Sequence, residues 1–437
     1  MTCRTLSRYK VRLIILKLLL RIIFLVIAVV SSATADDELG LSAGLSTSPI
    51  ASSQPIAREQ IVQRVAPLAR AGEFPSAIEV DIDGVVINAR VNYTLDASLH
   101  DALAAVYRRY RPDFGAFVAI DPESGAIRTL TSFIRGEEQL DNLSVRTAYP
   151  AASVFKIITA TAAIDSGKAT PTTVMPYNGK STSLYKSQVL RHQDNKWTRY
   201  PELTEAFAKS INPVFARIGI YQVGAVSLRD YADRFGFDRA LFSDFDLRPS
   251  EMGLALDDEW QIAEAASGYT KDILISPVHA AAMAAAIVNG GKLMAPHIVE
   301  SMVDGANKPL YQSEIAELQQ IMAPSTAMAL KKLMMATVSQ GSARRSFTNY
   351  KKDKSLREVS VGGKTGSLTG YSPRGRHDWF VGYGEAKDGR KIAYASLVIN
   401  KEKWYVRSAM VARLFLQEYF AKPAEPLPAE LAVVPIK

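Results

Sequence analysis

Ser153 and Lys156 stand three residues apart in Ala151-Ala152-Ser153-Val154-Phe155-Lys156, just after Pro150 and ahead of a stretch of helix-forming residues. Residues three apart on a helix share a face, so this spacing sets an ammonium beside a hydroxyl. A serine hydroxyl is a weak nucleophile until a base takes its proton. A lysine can be that base only where burial or a second cation keeps it uncharged. Two other groups offer matching chemistry. Ser210-Ile211-Asn212 follows a helical stretch, Leu203 to Ala208, and supplies a hydroxyl for proton relay and an amide to hold a lysine and a substrate amide. Lys364-Thr365-Gly366 ends a strand-like run. Its glycine weakens a strand unless something must approach the backbone closely, as a peptide laid along a strand edge would. Lys364 and Thr365 would then meet a carboxylate. No single pattern decides the matter: Ser7…Lys10 and Ser183…Lys186 repeat the first spacing, and a given tripeptide arises by chance in about one chain of this length in twenty. The three in this order, each in a fitting context, are far more specific.

Those residues need elements to carry them. Residues 36–56 are rich in Ser, Ala, Gly and Pro and read as a flexible linker, with a short helix from Ala57 to Leu68. Ile78 to Val91 alternates about Asp83-Gly84 and predicts a hairpin. Leu95 to Arg109 predicts an amphipathic helix opened by Asp96, and Phe114 to Ile120 and Ile127 to Phe133 predict strands around a turn at 121–125. From about 160 to 345 helical patterns dominate, as in Val278 to Val288 with its stop at Asn289-Gly290-Gly291. Strand signals return at Val359 to Lys364, Trp379 to Gly384 and Ile392 to Asn400. A last helix, Tyr405 to Phe420, precedes a Pro-rich tail over 422–437. The expected fold class is α/β (α+β): one antiparallel sheet built from both chain ends, flanked by helices, with an inserted all-helical subdomain, within a domain spanning 76–421.

The chain has 437 residues, 48% hydrophobic and 22% charged, with a formal net charge of +8. Six of those positive charges, from Arg4 to Arg21, lie in the first 35 residues, which hold no acid. The remainder is close to neutral, which removes the main argument for nucleic-acid binding. An unbroken apolar run, Ile22 to Val30, leads to Ala33-Thr34-Ala35, a signal-peptidase-like site before Asp36. Residues 1–35 therefore read as a cleaved signal peptide or an uncleaved anchor, with the rest exported either way. The one cysteine, Cys3, lies in that leader, so a mature chain from Asp36 has no disulfide. His279 reads as a packed helix residue, His377-Asp378 lacks an accompanying serine motif, and the basic stretch Lys351, Lys352, Lys354, Arg357 reads as a solvated loop.

Taken together, the three motifs resemble those of the penicillin-binding transpeptidase domain. The likeness runs from about Phe114 to Phe420 and includes Gly115–Gly125, Leu203–Phe215, Ile275–Gly291 and His377–Gly384. It implies Ser153 as the acylated nucleophile, Lys156 as its base, and Ser210 and Asn212 as the proton-relay and hydrogen-bonding pair. Lys364, Thr365, Gly366 and Ser367 would form the carboxylate-binding strand, and the backbone N–H groups of Ser153 and Ser367 an oxyanion hole. Peptidoglycan stem peptides ending in D-alanyl-D-alanine are the implied substrates, β-lactams the implied inhibitors, a glycan polymerase a partner, and no cofactor or metal is implied. The rival readings are a serine β-lactamase and a non-catalytic β-lactam-binding sensor or scaffold. Asn212 favours the penicillin-binding side over class D β-lactamases, and no S-D-N or obvious glutamate base marks class A. One departure is that Ala266-Ser267-Gly268-Tyr269 stands near where the family often has Gly-x-Gly. The short stretch ahead of the domain leaves room for neither a pedestal nor a glycosyltransferase module, which implies a near-minimal enzyme.

Overall fold

Phe114–Ile120 reads Phe-Gly-Ala-Phe-Val-Ala-Ile, an almost continuous apolar run, because both faces of the strand are covered. Ala116, Val118 and Ile120 face one core, while Phe117 and Ala119 face another, the period of two that strand geometry demands. The structure, a computed structural model of the chain, describes residues 56–137, 142–241 and 243–423. Its central sheet has five antiparallel strands in the order Val359–Tyr371, Arg374–Ala386, Lys391–Asn400, Phe114–Ile120, Ile127–Ile134. The seam between the two chain regions pairs Ile120 with Ala393 and Phe114 with Ile399. The strand carrying Lys364-Thr365-Gly366 is therefore an edge of this sheet.

Helices cover both faces. Pro277–Val288 is buried at every position, and its six alanines let its backbone lie close to the sheet. Ser276 caps it by accepting from the His279 N–H at 3.1 Å, and Pro277 fits the first turn, where no N–H is needed. On the other face, Ala97–Tyr110 and Ser408–Ala421 bury Leu99, Leu103, Tyr107, Phe415 and Leu416 against Phe117, Phe380 and Tyr394. Each such side chain contributes roughly 1.5–3 kcal/mol on leaving water. Asp96 caps the first of these helices and accepts from Lys422 at 2.8 Å, fastening it to the end of the second.

Several expectations change. The hairpin forms as Ala77–Ile82 and Val85–Tyr93, with Asp83 at φ +53° and Gly84 at φ +83°. It belongs, however, to a second sheet with Val299–Val303 and Pro309–Gln312, not to the central one. The inserted region is not all-helical, since short strands occupy Lys292–Met294, Val299–Val303, Pro309–Gln312 and Glu317–Gln320. Segments this short show little periodicity and are fixed by distant pairing, as of Tyr93 with Val299. The early helix, expected over Ala57 to Leu68, runs from Arg58 to Ala71 and buries Ile61, Val65, Ala66 and Ala69, so it is packed into the fold. The leader, residues 36–55 and the tail from 424 lie outside the described residues. Among the described residues no helix is long and apolar enough to cross a membrane.

Candidate active site

The approach to Ser153 is fixed from three sides. Tyr149–Pro150 pairs with Leu274–Ile275, Ala151 N–H donates to the Ile273 carbonyl at 2.9 Å, and the Trp379 indole N–H donates to the Pro150 carbonyl at 3.0 Å. Ala152 then turns through the left-handed region at φ +48°, and a 3-10 turn, Ala152–Phe155, runs into the helix Lys156–Asp165. Gly268 presses on this turn. It ends the helix Glu259–Ser267 at φ +62°, and a Cβ there would lie 1.9 Å from the Ala152 oxygen. Only glycine meets both demands.

Lys156 is fully buried. Its Nζ lies 2.7 Å from Ser153 Oγ, 2.7 Å from Asn212 Oδ1 and 2.5 Å from the Ser267 carbonyl. Burial, and secondarily the charge of Lys364, push its amine well below the ordinary lysine range. The contacts indicate where its lone pair points when it is uncharged. The Ser267 carbonyl can only accept, and Asn212 presents its oxygen because its Nδ2 donates to the Thr182 carbonyl at 2.9 Å. The two N–H groups of a neutral amine go to those acceptors, leaving the lone pair facing the Ser153 hydroxyl. Such an amine can take the serine proton.

Ser210 is placed by the end of the helix Leu203–Ala208. Its N–H and that of Ile211 close back on Phe207 and Ala206, and it takes the left-handed position, φ +57°, that glycine usually fills. Its hydroxyl accepts from Lys364 Nζ at 2.9 Å. Lys364 is buried, and burial pushes its amine down to about 7. Thr365 Oγ1 lies 2.5 Å from Ser342 Oγ, and Ser367 Oγ accepts from Arg376 Nε at 2.9 Å. Gly366 lets the edge strand lie on the serine turn, where a Cβ would meet Val154 Cγ2 at 3.1 Å and its amide nitrogen at 3.3 Å. A cleft of about 690 Å³ opens over Ser153, Ser210, Asn212, Thr365 and Ser367. Lys209, Lys271, Arg376 and Arg407 also line it, against one acid, Asp378. That carboxylate is already engaged by the Ser408 N–H at 2.8 Å and hydroxyl at 3.0 Å, with Arg407 3.6 Å away. The cleft therefore favours an anionic ligand.

The sequence matches the penicillin binding protein transpeptidase domain over residues 115–416. The chain belongs to this family. Peptidoglycan D,D-transpeptidase PbpA of Mycobacterium tuberculosis is 27% identical over 328 residues, which are 67% of this chain and 63% of that protein. Stage V sporulation protein D of Bacillus subtilis is 25% identical over 337 residues, 72% of this chain and 49% of that one. The chain thus spans less than two thirds of these relatives. Penicillin-binding protein A of M. tuberculosis, solved as an imipenem acyl-enzyme complex, shares the fold, with a TM-score of 0.60 and 24% identity over 76% of this chain and 79% of that one.

In this transpeptidase domain the structure brings together all eight residues chosen from sequence: Ser153, Lys156, Ser210, Asn212, Lys364, Thr365, Gly366 and Ser367. The competing Ser183…Lys186 pair is not part of that group, and Lys186 lies exposed with its Nζ 5.9 Å from the Trp260 ring. His279 is packed, with Nδ1 2.6 Å from Ser250 Oγ and Nε2 2.6 Å from the Phe235 carbonyl, and burial pushes it down to about 4. His377 Nε2 meets the Pro373 carbonyl at 2.9 Å while Asp378 engages Ser408, so the two do not act as a pair. The basic stretch is exposed, but Lys351 is more than solvated, donating to the Val359 carbonyl at 2.6 Å. Sequence reasoning missed the Ser267 and Thr182 carbonyls, Ser342, Gly268 and Arg376. Backbone carbonyls leave no mark on residue type. The anomaly at 266–269, though, pointed directly at the segment that packs on the serine turn.

Proposed function

We propose that this chain is a serine D,D-transpeptidase of peptidoglycan synthesis, with Ser153 as its nucleophile. The observation that carries the reading is the buried Lys156 amine, pushed well below the ordinary lysine range by burial, with Ser153 Oγ at 2.7 Å and the Asn212 and Ser267 oxygens to take its hydrogens. Lys156 takes that proton as Oγ attacks the carbonyl of the penultimate D-alanine of a stem peptide. The developing oxyanion lies between the backbone N–H groups of Ser153 and Ser367. Lys364, Thr365 and Ser367 hold the terminal carboxylate, with Arg376 against Ser367 supplying charge. Ser210, linked to Lys364, returns a proton to the leaving nitrogen, the C–N bond breaks, and D-alanine departs. An amine from a second peptide then attacks the acyl-serine, restoring the hydroxyl and forming the cross-link. Water in that place gives the carboxypeptidase outcome.

The name of peptidoglycan D,D-transpeptidase PbpA supports a role in wall synthesis, and the imipenem adduct of penicillin-binding protein A supports β-lactams as acylating inhibitors. The basic leader and Ala33-Thr34-Ala35 support export, with the catalytic domain in the periplasm or on the outer face of the cytoplasmic membrane. There a glycan polymerase is the natural partner to supply strands. N-terminal sequencing of the exported protein distinguishes a mature start at Asp36 from a retained anchor. The deciding experiment mixes the protein with a D-alanyl-D-alanine peptide, with and without an amine acceptor, and with penicillin. A cross-linked product and a stable penicillin adduct on Ser153, both lost in Ser153→Ala, are expected. Rapid penicillin hydrolysis would instead indicate a β-lactamase, and label persisting in Ser153→Ala would overturn the nucleophile.

A further inference from the structure

Beside the cleft lies a surface that this chemistry does not use. Residues 177–200 run outward and back, closed by reciprocal hydrogen bonds between Tyr177 and Arg199, both 3.0 Å. Five cations, Lys180, Lys186, Arg191, Lys196 and Arg199, are all exposed, and Asp194 is the only acid in the segment. That acid is occupied by His192 at 2.8 Å and by the Tyr200 hydroxyl. Three rings on the same segment stand in solvent: Trp197 is 70% exposed, Tyr200 56% and Tyr185 49%. Trp and Tyr ordinarily bury most of their area, so three such rings on a segment with five cations to one acid mark a binding surface.

The surface is anchored. Leu184 and Val189 pack on Ala216 and Ala263, and Thr198 Oγ1 donates to Asn178 Oδ1 at 2.8 Å while Asn178 Nδ2 donates to the Gln193 carbonyl at 2.9 Å. It is also continuous with the cleft. The Ser181 carbonyl accepts from Asn212 N–H at 2.7 Å, the Thr182 carbonyl accepts from Asn212 Nδ2 at 2.9 Å, and Thr182 lines the cleft wall.

We propose that residues 177–200 bind the glycan strand of uncross-linked peptidoglycan, the polymer whose stem peptide enters the cleft; this rests on the transpeptidase reading. Sugar rings present apolar C–H faces to aromatic rings, and stem peptides hang carboxylates along the strand, matching both the rings and the five cations. A strand held at both places gains effective concentration that a free peptide lacks. An anionic membrane also suits basic and aromatic groups. The polymer is favoured because Ser181 and Thr182 join this surface to the cleft wall, so a peptide in the cleft brings its own glycan alongside.

The test compares full-length wild type, Trp197→Ala/Tyr200→Ala and Lys186→Gln/Lys196→Gln. Fluorescent penicillin labelling monitors fold and cleft. Binding is read by cosedimentation with purified uncross-linked peptidoglycan, by competition with its muramidase digest, and by flotation with anionic phospholipid vesicles. Wild type should sediment with the polymer and compete only weakly with the digest. The aromatic variant should bind at least tenfold less tightly while its penicillin labelling stays within twofold. The charge variant should bind more weakly and with less salt sensitivity. Equal polymer binding by wild type and the aromatic variant overturns the proposal, as does vesicle binding that the variants lose while polymer binding holds. If the aromatic variant fails to label, unchanged polymer binding by the charge variant overturns it. Wild type that labels but does not sediment removes the glycan surface alone. Wild type that sediments but does not label removes the transpeptidase reading and leaves the surface.

Discussion

Replacing Gly268 by alanine tests whether the serine turn is held in place from outside. The added Cβ would sit 1.9 Å from the Ala152 oxygen and 3.0 Å from the Ser153 nitrogen. Non-bonded contacts are best near 3.5–4.0 Å, so roughly 1.5 Å of movement must be found. The obstructing atoms are backbone, which no rotamer change relieves. Alanine at φ +62° costs about 1–2 kcal/mol, and the overpacking adds about 1–3 kcal/mol. At about 2.1 cal/mol/K of unfolding entropy per residue, a chain of this size shifts by roughly 1 °C per kcal/mol, so Tm should fall by roughly 2–6 °C. Moving the reacting hydroxyl by about 1 Å costs on the order of 100-fold in rate, equivalent to about 2.7 kcal/mol of barrier. Gly72→Ala is the control, since Gly72 has φ +73° but nothing within 4 Å of a Cβ. It should lose about 1–2 kcal/mol of stability and no activity. Melting curves and second-order rates of fluorescent penicillin acylation measure both effects. If Gly268→Ala acylates within threefold of wild type, or Gly72→Ala is equally slow, the packing argument fails.

Acylation should rise with pH along a limb set by Lys156, whose midpoint lies well below the ordinary 10.5 because of burial and the Lys364 charge. Lys364→Met removes that charge and should shift the limb to higher pH; a limb that stays in place in the rate–pH profile contradicts the coupling. His279 is held down to about 4 from 6.5, so the unfolded chain takes up a proton between those values that the fold does not. Stability from this source is present above pH 6.5 and falls as pH drops towards 4, by up to about 3 kcal/mol. Urea unfolding of His279→Gln at pH 7 and 4.5 should show that much less acid sensitivity, and an identical loss in both proteins argues against it. Ser210→Gly relieves a left-handed backbone and should keep stability within about 1 kcal/mol. It also removes the Lys364 contact, so acylation should fall at least tenfold, and unchanged acylation would take Ser210 out of the relay.

The reactive residues were legible because side-chain chemistry at fixed spacing is written in residue types. Ser153 and Lys156 share a helical turn, and the central strands announce themselves as apolar runs such as Phe114–Ile120. The edge strand was only half read. Its apolar part stops near Lys364, while Thr365 to Tyr371 is interrupted by Gly366 and Gly370, which weaken a strand signal, and is strand because it pairs with Arg374–Phe380. The short strands between 292 and 320 escaped for a related reason: three to five residues cannot establish a period, and their partners lie far away in sequence. The supports of Lys156 were invisible, since the Ser267 carbonyl would be the same atom under any side chain.

The seam that joins Phe114–Ile120 to Lys391–Asn400 has a consequence for the order of events in making this protein. Ile120 waits for Ala393 until synthesis has passed the helices and strands that lie between them. Closing so long a loop before any contact rewards it makes for slow folding and a long exposure of unpaired strands. A chain cut short before residue 391 has Ser153 and Lys156 but no strand to bridge the two halves of its central sheet.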